Sequence, residues 1–182
     1  MVAEVSVRAA VPGDAAEIAR IQVDTWRTAY AAIVPAEVLD GFDASAAAAA
    51  WHAAITSPPS GRHRVLLATE GQWRVGFAAF GPAEGLEADD AEQATTIAIT
   101  PILVEPRWGR RGHGSRLLAA VVDLAREDGM TRAVAWIPEG DTPSREFLRS
   151  AGWAPDGLVR ALDTGAGELR EIRMHTSLGE TP

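Results

Sequence analysis

One segment narrows the possible folds more than any other. Ile102-Leu103-Val104-Glu105-Pro106-Arg107-Trp108-Gly109-Arg110-Arg111-Gly112-His113-Gly114-Ser115-Arg116-Leu117-Leu118 reads as a strand, a glycine- and arginine-rich turn, and a helix. The strand side, Thr95 to Glu105, is apolar and rich in β-branched residues. On the helix side, Leu117, Leu118, Val121, Val122 and Ala125 form one apolar stripe, and Gly129 is placed to stop it. The start of a helix exposes N–H groups without partners at the positive end of its dipole, which suits a phosphate. Gly112 and Gly114 allow a ligand to approach the backbone closely. Arg107, Arg110, Arg111 and Arg116 crowd this turn in a chain whose formal net charge is −8. An acidic protein that gathers its positive charge at a helix start is built to bind an anion there. The alternative is a structural turn with solvated arginines.

Which anion is bound is narrowed by exclusion. A dinucleotide fingerprint requires a third glycine where Leu117 stands, so that match fails. All 17 cationic residues are arginine. Without lysine, neither a Walker-type phosphate loop nor a Schiff-base enzyme is possible. With no cysteine, disulfides, thiol nucleophiles and cysteine-based metal sites are excluded. His52, His63, His113 and His175 lack metal-ligand spacing, so no metal is expected. The acidic balance speaks against nucleic acid as a partner. No apolar stretch is long enough to cross a bilayer, and Met1 to Ala10 carries no secretory pattern, so a cytoplasmic location is expected.

Along the chain, Val5 and Val7 mark a first strand. Pro12-Gly13-Asp14 breaks it, and Asp14 with Glu17 reads as a capped helix start. Ile18, Ile21, Thr25 and Trp26 recur at helical spacing. The alanine run Ala46 to Ala50, ending at Trp51, predicts a second helix whose partner surface its weak amphipathicity leaves open. Val65 to Thr69 and Trp73 to Phe80 predict a strand pair. An acidic loop holding Glu84, Glu87, Asp89, Asp90 and Glu92 follows. Pro101 cannot donate to a ladder, which places a bulge or unpaired edge in the strand after that loop. Thr131 to Ile137 predicts a buried strand and Pro143 to Ala151 a short helix. Leu158 to Leu162 and Leu169 to Met174 predict a hairpin around Gly165-Ala166-Gly167. The order is strand, two helices, three strands, helix, strand, helix, two strands, with no repeats and no domain boundary. One domain spans 1–182.

Val104-x-Pro106, then Gly112-x-Gly114 and Leu117-Leu118, resembles the acetyl-CoA motif of the GNAT acyltransferase superfamily. Asp141 through Phe147-Leu148 to Gly152-Trp153 is similar to that family's N-x-x-A-x-x-F-Y-x-x-x-G-F helix. Trp26-Arg27-x-x-Tyr30, Ile33-Val34-Pro35 and Leu39 resemble the acceptor-side helices of one large branch. The resemblance implies an α/β (α+β) fold: a mixed, mostly antiparallel central sheet of about seven strands flanked by about four helices. It also implies that Pro101 lies where two central strands splay, that residues 1–60 build the acceptor side, and that 95–153 form the acetyl-CoA core.

The implied activity is acetyl transfer from acetyl-CoA to a primary amine of a small molecule or protein. A GNAT-like acyl-CoA-binding module with little catalysis is the alternative. Leu103, Val104, Gly109, Arg110, Arg111, Gly112, His113, Gly114, Ser115, Asp141 and Phe147 are the implied cofactor-binding residues. Trp26 and Tyr30, with Trp51, are candidates for the acceptor pocket, and the acidic loop 84–92 could guide a cationic amine. Such domains often pair, so a homodimer is a further expectation. Gly109 and Arg110 depart from the usual turn, which carries Gln or Arg and then Gly at those positions. Asp141 stands at the usual Asn. Leu148 stands where many relatives place a tyrosine as general acid. Glu105, Asp24 and Glu139 are candidate bases; Tyr30 and Ser144 are candidate proton donors.

Overall fold

The computed structural model describes residues 4–83 and 93–179, so the acidic loop 84–92 lies outside the described residues. The strands are β1 (Val5–Ala9), β2 (Arg64–Glu70), β3 (Trp73–Pro82), β4 (Thr96–Val104), β5 (Arg132–Pro138), β6 (Ala154–Asp163) and β7 (Glu168–Ser177). The α-helices are α1 (Ala15–Ala29), α2 (Ala36–Asp40), α3 (Ala44–Thr56), α4 (His113–Glu127) and α5 (Thr142–Ser150). All seven strands join one sheet in the order β1-β2-β3-β4-β5-β7-β6. Only β4 and β5 run parallel; every other pair is antiparallel. This is the mixed, mostly antiparallel sheet expected above, with one more helix.

The two sheet faces follow from the period of two along each strand. Leu66 and Ala68 of β2 look to one face, where they meet Leu117, Val121 and Ala125 of α4. Leu67 looks to the other, with Phe77 and Leu103, and packs on Ile18 and Ile21 of α1. Ile18, Ile21, Leu117 and Val121 have no exposed surface, and each contributes about 1.5–3 kcal/mol by burial. The stripe read in the sequence is therefore the buried face of α4, although Val122 is only half-buried.

Two local readings need correction. Asp14 precedes α1 but its side chain does not cap it. Its carboxylate instead closes a short 3-10 turn by accepting from the Val11 N–H, and binds Arg8 and Arg74. Two guanidiniums outcompete a helix N–H for a buried carboxylate. The sequence also hid α2. Its five residues are too few to show a period; Pro35 starts it and Leu39 anchors it in the core. For α3, Asp43 accepts from the Ser45 and Ala46 N–H groups at 2.7 and 3.3 Å. No residue of α3 is fully buried. Trp51 fixes it, donating to Gln22 of α1 at 2.7 Å and meeting Phe77 edge-on.

Candidate active site

The site begins with a break in the sheet. Ala78 of β3 faces Ile102 while Phe80 faces Ile99, so β4 carries an extra residue at Thr100-Pro101. β5 pairs with β4 only from Thr96 to Ile99; beyond that the strands part, and Trp136 to Pro138 pair with β7 alone. The proline thus sits where β4 leaves its parallel neighbour. Glu105 donates its N–H to Val75 of β3 at 2.9 Å. Because N–H directions alternate along a strand, the Val104 N–H points to the opposite side, into the slit.

The slit opens into a cavity of about 300 Å³. Trp26, Tyr30 and Trp51 wall it on the α1–α3 side. Ser144, Phe147 and Leu148 of α5 wall the other, with Leu103 and Trp136 between. The sequence had nominated most of these separately, and the fold gathers them. Trp26 also packs edge-on against Phe42 at 4.7 Å and, in a tilted arrangement, against Tyr30 at 5.8 Å. Tyr30 donates to Asp141 Oδ2 at 3.0 Å, and Asp141 Oδ1 accepts from the Ser144 N–H at 3.1 Å, capping α5. Burial first, then the Asp141 carboxylate, pushes the Tyr30 phenol well above its ordinary range, so it stays protonated.

The carboxylates named as candidate bases lie elsewhere. Asp24 and Glu139 are exposed and paired with Arg20 and Arg170. Glu105 is buried, and both its oxygens are engaged by Arg20 at 3.2 and 3.3 Å, with Arg107 at 2.9 Å. Burial alone would raise its pKa; the two arginines outweigh that and lower it. None of the three lines the cavity. Sequence reading missed Arg160 and Glu171, both of which do. They sit on β6 and β7, outside any motif, and only strand pairing brings them here.

At the turn, Gly109 donates to Pro106 O at 3.0 Å. Arg110 and Gly112 then adopt φ values of 62° and 81°, and α4 begins with no side-chain cap. Its first N–H groups therefore remain available. Arg116 braces the turn by donating to Arg111 O at 2.9 Å. Arg111 lies over Trp108 and pairs with Glu70. Arg110 is exposed and has no acidic partner among the described residues. The His113 ring is buried, with Nε2 2.8 Å from Glu70, leaving only its backbone to face a ligand; Ser115 is exposed one residue beyond Gly114. A Cβ on Gly114 would touch Phe147 at 3.5 Å and Val104 at 3.9 Å, so this glycine lets α4 approach both. A second groove of about 430 Å³ runs between α4 and α5, with Ser115 and Phe147 on its wall.

Among the described residues no cluster of His, Cys, Asp or Glu has the makings of a metal site, and no helix is long and apolar enough to cross a membrane.

Residues 18–153 match the Acetyltransferase (GNAT) family. No curated protein matches the chain. The fold is shared with solved structures at low identity. YncA of Salmonella typhimurium, solved with its cofactor acetyl-CoA, is 22% identical with a TM-score of 0.72, covering 98% of this chain and 96% of that one. PaiA N-acetyltransferase of Thermoplasma acidophilum, in complex with coenzyme A, is 12% identical with a TM-score of 0.72, covering 96% and 99%. Ribosomal-protein-alanine N-acetyltransferase of Brucella melitensis is 21% identical with a TM-score of 0.72, covering 94% and 99%.

Proposed function

Because the chain belongs to the acetyltransferase (GNAT) family, we propose that it is an N-acetyltransferase moving an acetyl group from acetyl-CoA to a primary amine by direct attack on the thioester. The observation that carries this reading is the slit at Thr100-Pro101. It opens an apolar cavity between the acceptor-side helices and α5, beside the uncapped start of α4. In this reading the chain is one domain, with 1–60 on the acceptor side and 95–153 as the cofactor core.

The residues present fit the cofactor. The N–H groups from Arg110 to Ser115 and the Arg110 and Arg116 guanidiniums supply a positive cradle for a diphosphate, with Gly109 shaping the turn that presents them. Leu103 and Val104 flank the arm that reaches the slit, and Phe147 separates that arm from the α4–α5 groove. Acetyl-CoA supplies the activated acetyl group. The Val104 N–H is oriented to donate to the thioester oxygen as charge grows on it, and the apolar walls keep competing water away.

An acceptor that enters as an ammonium first gives one proton to solvent and then attacks as the neutral amine, aligned within the slit. Leu148 is buried at the position of the usual tyrosine and donates no proton. Tyr30 is a poor substitute: burial and the Asp141 carboxylate push its phenol above the ordinary value of about 10, so it gives up its proton less readily than an ordinary phenol. Its hydrogen is also held by Asp141. Tyr30 therefore acts as wall and brace, and the departing thiolate takes the amine's own second proton. Ser144 lines the cavity and has at most a hydrogen-bonding role.

The test is calorimetric titration with acetyl-CoA. The native chain binds with micromolar affinity, and an Arg110→Gly, Arg116→Gln variant binds at least tenfold more weakly while remaining folded. Failure of the native chain to bind overturns the proposal. Binding without thiol release across a panel of amines would instead favour the acyl-CoA-binding module, the reading that Leu148 supports.

A further inference from the structure

Resting on the transferase reading above, we infer that Glu171 receives the acceptor's ammonium group, and that the acceptor is a primary amine on an otherwise uncharged, apolar body. Glu171 is the one acidic side chain lining the cavity among the described residues. It lies on β7, opposite Pro138 of β5 and Arg160 of β6, and is 8% exposed. Arg160 Nε donates to its Oε2 at 2.6 Å, which leaves Oε1 without a hydrogen-bond partner among the described residues. Arg160 is in turn spread over the Trp136 ring at 4.4 Å. It serves to hold the carboxylate in place.

The local charge balance favours a cation. Asp141 lies behind Tyr30, 6% exposed, and is hydrogen-bonded only to neutral donors. Arg173, the other guanidinium over the Trp136 ring, pairs with Asp156, so among the described residues Arg160 is the one cation in the lining set against Glu171, with the Asp141 carboxylate behind the wall. Glu171 and Tyr30 line the same cavity, and the Glu171 charge adds to burial and Asp141 in raising the Tyr30 phenol's pKa. The remaining walls select for an apolar body. Trp26, Trp51, Val34 and Leu169 offer aromatic and aliphatic surface, and the indole faces also favour an ammonium. A second ammonium would find no second acid in the lining, and an acceptor carboxylate would meet the excess negative charge.

Glu171→Gln removes the charge while keeping a carbonyl oxygen for Arg160, so it separates recognition from support. With 2-phenylethylamine as the probe, the native chain acetylates it faster than spermidine or phenylalanine. In the variant its KM rises at least tenfold, while acetyl-CoA affinity holds and the chain remains folded. With CoA present, calorimetry shows that the native chain prefers 2-phenylethylamine over 2-phenylethanol and that the variant does not. A purely structural role would weaken both ligands alike. An unchanged KM in the variant, retained amine preference, or faster native turnover of spermidine or phenylalanine overturns the assignment. So does neglect of 2-phenylethylamine by a native chain that acetylates another amine. Absence of acetyl-CoA binding to the native chain would instead sink the transferase reading itself.

Discussion

Asp14 has no exposed surface and still carries a charge. Burial would drive its pKa up, but hydrogen bonds from Arg8, the Val11 N–H and Arg74 outweigh that and hold it far below the usual carboxylate range. A carboxyl whose pKa is lower folded than unfolded stabilises the fold above the unfolded value, about 3.9, and loses that contribution as pH falls. Asp14→Asn should therefore cost about 2 kcal/mol at neutral pH. Urea denaturation of both proteins should show the gap narrowing steadily below about pH 4. Tyr30 invites a kinetic counterpart. If it is wall and brace, Tyr30→Phe keeps kcat within about tenfold; a loss of a hundredfold or more would restore it as the proton donor. Arg110 adopts a φ of 62°, the left-handed region that favours glycine, the residue the resemblance led us to expect at this place in the turn.

The elements were legible to different degrees, for physical reasons. The α4 stripe and its stop at Gly129 could be read directly because a 15-residue helix with one buried face repeats its signal four times. Pro101 announced the bulge because a missing N–H cannot be hidden in a ladder. The five-residue α2 offered no period, and the extent of β6 was underestimated because most of that edge strand is exposed and lacks alternation. The alanine-rich α3 was legible as a helix but not as to its partner, since Trp51 alone directs it onto α1 and Phe77. With no fully buried residue, α3 depends on its cap. Asp43→Ala should cost about 1 kcal/mol by urea denaturation and should loosen the Trp51 wall of the cavity.

At the scale of the whole molecule, α1 and α4 cover opposite faces of the central strands and the cavity forms where β4 and β5 part, so the cavity is a consequence of topology. Ligand at α4 and in the slit would bridge β4, α4 and α5. Acetyl-CoA at about a hundred times its Kd should then stabilise the chain by about 2.7 kcal/mol, seen as a rise in Tm; no rise would mean that this region is not a binding site. What the sequence by itself determined was whatever is written in local chemistry: the strand–turn–helix with its glycines, the proline bulge, the apolar stripes, the exclusion of lysine and cysteine chemistry, and the family motif. What only the tertiary structure decided was which charges meet. Glu105, the first candidate base, is bound by arginines from α1 and the turn, whereas Glu171, in no motif, faces the cavity. A side chain's partners come from pairing of strands distant in sequence, and no local pattern encodes that meeting.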